Sequence, residues 1–336
     1  GDLMRALGNG EAAREYFQKS LDIRERLARA EPQHADYQSE LSVSYEKLGD
    51  LMRALGNGEA AREYFQQSLD IRERLARAEP QRADYQRNLS VSCNKLGDLI
   101  RDLGNGEAAR EYFQKGLDIA ERLARAEPQR ADYQRDLSVS YNHLGDLIRE
   151  LGNGEAAPEY FQKGLDIAER LARAEPQRAD YQRDLSVSYN HLGDLMREFG
   201  NGEAASEYFQ KGLDIRERLA RAEPQRADYQ RDLSISYNKL GDLMRALGNG
   251  EAARECFQNG LDIAERLARA EPQRADYQGD VVVSLMHMAN IDPARAREHY
   301  ARAVNLLGAL RAAGLQVPHR DAMILALERR LADSSG

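Results

Sequence analysis

The sequence predicts an all-α solenoid of antiparallel helix pairs, and three observations carry that prediction. Gly-Asp-Leu recurs at residues 1, 49, 97, 145, 193 and 241, a strict 48-residue period. Each period holds two breakers: Ala-Glu-Pro-Gln around Pro32, Pro80, Pro128, Pro176, Pro224 and Pro272, and Gly-Asn-Gly as at Gly56-Asn57-Gly58. No segment alternates β-branched and polar residues as a strand would. A chain of 336 residues would ordinarily suggest two or so separate cores. Tandem units pack only on their neighbours, so that expectation falls away.

The unit is clearest at residues 97–144, and its helices follow from local chemistry. Tyr85 to Leu103 places Leu89, Cys93, Leu96, Ile100 and Leu103 at spacings of four, three, four and three, one stripe of a helix. Asp84 is expected to cap its start and Gly104 to stop it. Asn105 then caps a second helix, with Glu107 in its first turn, where a negative charge suits the helix dipole. That helix runs to about Glu127 and carries Ala109, Phe113, Leu117, Ile119 and Leu123, a surface wide enough to pack on two neighbours. Each helix is about 20 residues, roughly 30 Å.

Six such units are expected over residues 1–288, the first entered in mid-helix at Gly1. No methionine precedes Gly1, so the parent protein is expected to continue upstream. Residues 289–336 read as a degenerate repeat and capping helix. Leu285, Met288 and Ala289 continue the first-helix pattern, Asp292-Pro293 replaces the glycine turn as cap and first residue, and Tyr300 takes the place of Phe257. Gly314 stops that helix, and Pro318 to Asp333 can form a last one with Met323, Ile324, Ala326, Leu327 and Leu331 on its apolar face. Terminal repeats depart from consensus because they must cover an exposed apolar face.

Tyr45-x-x-Leu48-Gly49, followed by Gly56, Ala61 and Phe65, resembles the tetratricopeptide repeat signature in residues and spacing. The usual unit is about 34 residues. The longer unit here, with Leu69-Asp70-Ile71-Arg72-Glu73-Arg74-Leu75 in its second helix, is similar to long-helix variants such as the kinesin light chain repeats. The resemblance covers residues 1 to about 314. It implies a right-handed superhelix whose first helices line a concave groove, and a role in binding other proteins.

The chain offers little for chemistry. GxxxxGK[ST], GxSxG, HExxH and CxxC are absent, so no enzyme is expected, and no cofactor. A net charge of -8 with 31% charged residues argues against nucleic acid, and no apolar run is long enough for a membrane. A cytoplasmic location is expected. Cys93 and Cys256 fall on different helices of units three repeats apart, so they read as small hydrophobes rather than a disulfide. His143 and His191 occupy equivalent positions on adjacent repeats, about 10 Å apart, and read as solvated side chains rather than metal ligands. Asn88-Leu89-Ser90 matches a glycosylation sequon, but Leu89 sits in the buried stripe. Pro158 replaces Arg110 near a helix start and reads as drift costing one hydrogen bond. Only seven of 48 basic residues are lysine, which with abundant alanine points to a GC-rich, bacterial genome.

A second face of the first helix follows Ser90, Asn94, Asp98 and Arg101, opposite the stripe. By the resemblance it would line the groove as ladders: Asn94, Asn142, Asn190 and Asn238; Asp98, Asp146, Asp194 and Asp242; Arg101, Arg149, Arg197 and Arg245. Asparagine can hold the main chain of an extended peptide, and arginine can bind its carboxylates. The plainer reading is a solvated face on which Asp98 and Arg101 neutralise each other at i,i+3. Aspartate in the ladder disfavours a clamp for a peptide C-terminus. Asp102, Glu150 and Glu198, where Ala54 and Ala246 stand in other units, suggest a partner with basic character. The leading expectation is therefore a non-enzymatic scaffold that binds a peptide or protein segment. Its alternatives are the sensor arm of a larger enzyme or signalling ATPase, or a structural, self-assembling spacer.

Overall fold

The computed structural model describes residues 10–152, 154–272 and 274–312, with 326–327 and 329–330 beyond them. The described residues form thirteen α-helices and no strand. The fold is an all-α solenoid of consecutive helix pairs. The chain divides into two compact units, one up to Pro176 and one from Gln177 onward. The first holds α1 (Gly10–Ala30), α2 (Ala35–Ala54), α3 (Gly58–Ala78), α4 (Ala83–Asp102), α5 (Gly106–Ala126), α6 (Ala131–Glu150) and α7 (Ala157–Ala174). The second holds α8 (Ala179–Glu198), α9 (Gly202–Ala222), α10 (Ala227–Ala246), α11 (Gly250–Ala270), α12 (Ala275–Ile291) and α13 (Ala296–Ala312). No helix among the described residues is long and apolar enough to cross a membrane.

The turn between paired helices follows the expected chemistry. Gly104 adopts φ +84°, a conformation that favours glycine. Its N–H donates to Arg101 O at 2.9 Å, and the Asn105 N–H donates to Ile100 O at 3.1 Å, satisfying carbonyls at the helix end. Asn105 Oδ1 then accepts the Ala108 N–H at 3.2 Å, capping α5.

The other helix start corrects an expectation. Arg82, not Asp84, is the capping residue of α4, and its side chain makes no cap bond. Asp84 lies in the first turn and binds the Arg82 guanidinium at 2.7 Å. That guanidinium lies over the Tyr85 ring, 4.0 Å from its centre. The carboxylate thus serves the helix dipole and the arginine together. Arg130, Arg226 and Arg274 repeat the arrangement with Asp132, Asp228 and Asp276.

Helices pair closely because glycine removes a side chain at the contact. A Cβ on Gly97 would stand 2.7 Å from Phe113, and Gly145 and Gly241 face Phe161 and Phe257 in the same way. Leu103, expected in the core stripe, is 45% exposed. It covers Gly58 of the preceding pair instead. Leu99, which the stripe omitted, is buried. Pro158 does more than drop one hydrogen bond: α7 starts at Ala157 with no side-chain cap, and is 18 residues long where α5 has 21.

At the C-terminal end, Leu285, Met288 and Ala289 are buried. The expected helix start at Pro293 is corrected. Asp292 ends α12, the Arg295 N–H donates to Asp292 O at 3.1 Å, and α13 begins at Ala296. The Asp292 carboxylate sits 3.4 Å from Arg254 instead of capping. Gly314 and most of the helix expected from Pro318 to Asp333 lie outside the described residues. Leu327, within it, is fully buried.

Candidate functional site

In the first unit, α4 packs on α3 before it, on its own partner α5, and on α6. A helix covered from three directions keeps only a narrow open arc. On α4 that arc runs through Arg87, Val91, Lys95 and Asp98 at helical spacing. It is rotated by roughly 60° from the face the ladders were placed on, and the two share Asp98.

The asparagines show the consequence. Asn94, Asn142 and Asn190 are only 8%, 9% and 6% exposed, and Asn238 is half-buried. Asn94 Nδ2 donates to Ser140 Oγ of the next repeat at 3.0 Å, and Asn238 Nδ2 donates to Ser284 Oγ at 3.3 Å. Their side chains also rest on glycine: a Cβ on Gly116 would meet Asn94 Oδ1 at 2.6 Å, and Gly164, Gly212 and Gly260 stand likewise against Asn142, Asn190 and Asn238. The expected open row of amides is thus a buried row that joins helices. Where Glu46 replaces the asparagine, Ser68 replaces the glycine.

The aspartates and arginines sit nearer the surface. Asp98 pairs with Arg101 at 3.2 Å, Asp146 with Arg149 at 3.3 Å, Asp194 with Arg197 at 3.2 Å and Asp242 with Arg245 at 3.4 Å. The aspartates also bridge repeats. Asp50 takes Lys95, and His143 Nδ1 lies 3.2 Å from Asp98. In the second unit Asp194 takes Lys239, and His287 Nδ1 lies 3.3 Å from Asp242. Burial alone would raise the Asp242 carboxyl, but bonds and charge from His287 and Arg245 outweigh it and hold it below its ordinary value. His143 is half-buried and stacked on Phe113, 5.3 Å between centres, not solvated as expected.

The acids that suggested a basic partner are engaged within the chain. Asp102 takes Arg53 at 2.5 Å, and Glu150 lies 3.9 Å from Arg101. A further set of bridges, absent from the sequence reading, links Arg87 to Asp136, Arg183 to Asp232 and Arg231 to Asp280, each with Nε and Nη2 donating to the two carboxylate oxygens. Their 49-residue spacing, one more than the period, was the signal that could have disclosed them. One helical turn from these bridged residues, Val139 in the first unit and Ile235 and Val283 in the second stand exposed, as does Val43 on α2.

Two buried arginines were also missed. Arg72 binds Ser42, Ser92 and the Asn88 carbonyl, with Glu46 at 2.5 Å. Burial alone would raise Glu46, but the charges of Arg72 and Lys95 outweigh it and hold it below its ordinary value. Arg216 binds Ser186, Ser236 and the Asp232 carbonyl, and faces the Asn190 amide oxygen at 3.1 Å in the orientation that satisfies both. Burial lowers its proton affinity. Arginine amid the apolar positions of the second helix, where Ala120, Ala168 and Ala264 stand elsewhere, was the available signal. Cys93 is fully buried, and burial pushes its thiol up to about 12, so it packs as a hydrophobe.

Two family models, each described as tetratricopeptide repeat, match residues 1–74 and residues 89–124, 185–220 and 234–268, together more than half of the chain. The chain belongs to the tetratricopeptide repeat family. No curated protein sequence matches it. Among solved structures, BtubC (BKLC) from P. vanneervenii is 21% identical with a TM-score of 0.58, over 77% of this chain and 92% of that one. A Rap protein complexed with competence and sporulation factor is 12% identical with a TM-score of 0.53, over 89% and 77%. A signal transduction ATPase from Pyrococcus horikoshii with a tetratricopeptide repeat sensor is 16% identical with a TM-score of 0.50, over 96% of this chain and 47% of that one. At these identities the likeness is one of fold.

Proposed function

We propose that this tetratricopeptide protein is a non-enzymatic scaffold that binds a peptide or protein segment on the open arc of its first helices. One observation carries the reading: exposed Val139 stands one helical turn from Asp136, and Ile235 and Val283 one turn from Arg231 and Asp280, charges that are bridged from repeat to repeat. Such bridges hold neighbouring helices in register, so the surface is organised before a partner arrives and loses little side-chain freedom on binding. Asp98, Asp146, Asp194 and Asp242 and Arg101, Arg149, Arg197 and Arg245 form its polar edge, while the four asparagines act from beneath by joining the helices. The Rap protein complexed with competence and sporulation factor is consistent with this mode.

The test is a peptide-array screen with the purified protein, repeated with Val139→Asp and Ile235→Asp. Both sites are exposed, so circular dichroism should be unchanged while captured peptides are lost. Retention of every captured peptide by both variants would refute the reading. The ATPase whose repeats form a sensor supports a second reading, in which this array senses for a larger signalling enzyme. The coding sequence adjoining residue 1 in the genome decides that point.

A further inference from the structure

The arginine row differs between the two units in one respect. In the first, two arginines reach an acid 49 residues on: Arg53 holds Asp102 at 2.5 Å, and Arg101 stands 3.9 Å from Glu150. In the second, the residue 49 places beyond Arg197 is Ala246. Beyond Arg245 it is Ala294, in the turn between α12 and α13. Both guanidiniums are exposed and pair within their own helix, with Asp194 and Asp242. Those aspartates are also claimed from the next repeat, Asp194 by Lys239 and Asp242 by His287. Glu198, beside Arg197, already has a partner. The place that Asp102 fills at Arg53 has no carboxylate at Arg197.

From this we infer that the second unit takes an acidic peptide segment, whose carboxylates bind Arg197 and Arg245 while aliphatic side chains lie on Ile235 and Val283. The inference rests on the binding role proposed above and names the partner's chemistry. Carboxylate is the fitting group because the same arginine in the first unit is matched by a side-chain carboxylate from the chain itself. Planar guanidinium prefers that two-edged acceptor. The apolar component follows from Ile235 at 39% and Val283 at 41% exposure, since an aliphatic contact there removes water from both surfaces.

Fluorescence anisotropy on the full chain tests this with three labelled decapeptides, in which leucine alternates with glutamate, glutamine or lysine. The glutamate probe should bind and weaken with added salt. Arg197→Gln and Arg245→Gln should each weaken it roughly tenfold, the loss of one charge-assisted contact. The decisive variant is Ala246→Glu, which supplies the carboxylate in the manner of Glu150. It should leave the urea midpoint unchanged or higher, yet weaken the glutamate probe roughly tenfold. No binding of the glutamate probe, or equal binding by Ala246→Glu, overturns the inference. If the glutamine or lysine probe binds best, the acidic partner is refuted while segment binding stands. If none of the three binds, both readings fail.

Discussion

Replacing a glycine by alanine should have opposite effects at two helical positions of the second unit. At Gly241 in α10, an added Cβ would lie 2.6 Å from Phe257 Cε1, 2.7 Å from Cδ1 and 3.0 Å from Cζ. Ordinary carbon contacts begin near 3.5 Å, so the ring or the helix must yield by most of an ångström. The Phe257 ring is fully buried and stacks on His287, 4.8 Å between centres, so moving it costs that contact as well. Such overpacking costs about 1–3 kcal/mol, against a gain of about 1 kcal/mol from replacing glycine in a helix. Gly241→Ala should therefore be destabilising, by about 1–2 kcal/mol at the upper part of that range. At Gly308 in α13, nothing lies within 4 Å of the new Cβ. Only the helix term remains there, and Gly308→Ala should stabilise by about 0.5–1 kcal/mol. Urea melts, with amide exchange to localise each effect, read both. If Gly241→Ala raised stability as Gly308→Ala does, the close helix approach would not be what that glycine serves.

Three further outcomes follow from named contacts. Glu46 has a lowered folded-state pKa, so its stabilisation is complete above its ordinary 4.5 and is lost as pH falls through the folded value; Glu46→Gln should flatten the acid side of the stability profile below about pH 4.5. His299 is buried with neither ring nitrogen bonded, and burial, followed by the charge of Arg295, holds it below its ordinary 6.5. Only the unfolded chain then takes up the proton, so α13 should weaken as pH falls below 6.5. Amide exchange in α13 should accelerate there in the wild type and far less in His299→Tyr, the residue equivalent repeats carry. Asn105→Ala removes the bond to the Ala108 N–H and should cost about 1 kcal/mol, seen as faster exchange at Ala108 and an earlier urea midpoint.

Much of the helix framework was legible because its determinants are local. Gly104 and Asn105 mark the turn through one backbone angle and one side-chain acceptor, and neither depends on distant residues. The core stripe of Leu89, Cys93, Leu96 and Ile100 follows from helical period alone. The site was less legible. A stripe on one side implies an open face opposite it only for a helix with a single neighbour. First helices here have neighbours on three sides, so Asn94 and Ser90, opposite the stripe, are buried as well. Asp84 was misplaced for a related reason: its arginine partner two residues back is as close a claimant as the helix end.

By itself the sequence determined the period, the helix pairs, the turns and the family, because each rests on residues within one turn of one another or on literal repetition. The tertiary structure alone decided which side of each first helix stays open, which acids are engaged, and that Arg72 and Arg216 lie inside. Those outcomes depend on residues 16 to 49 positions apart meeting across packed helices. In a repeated sequence the units share most of their letters, and the neighbour that covers or spares each one is set by stacking.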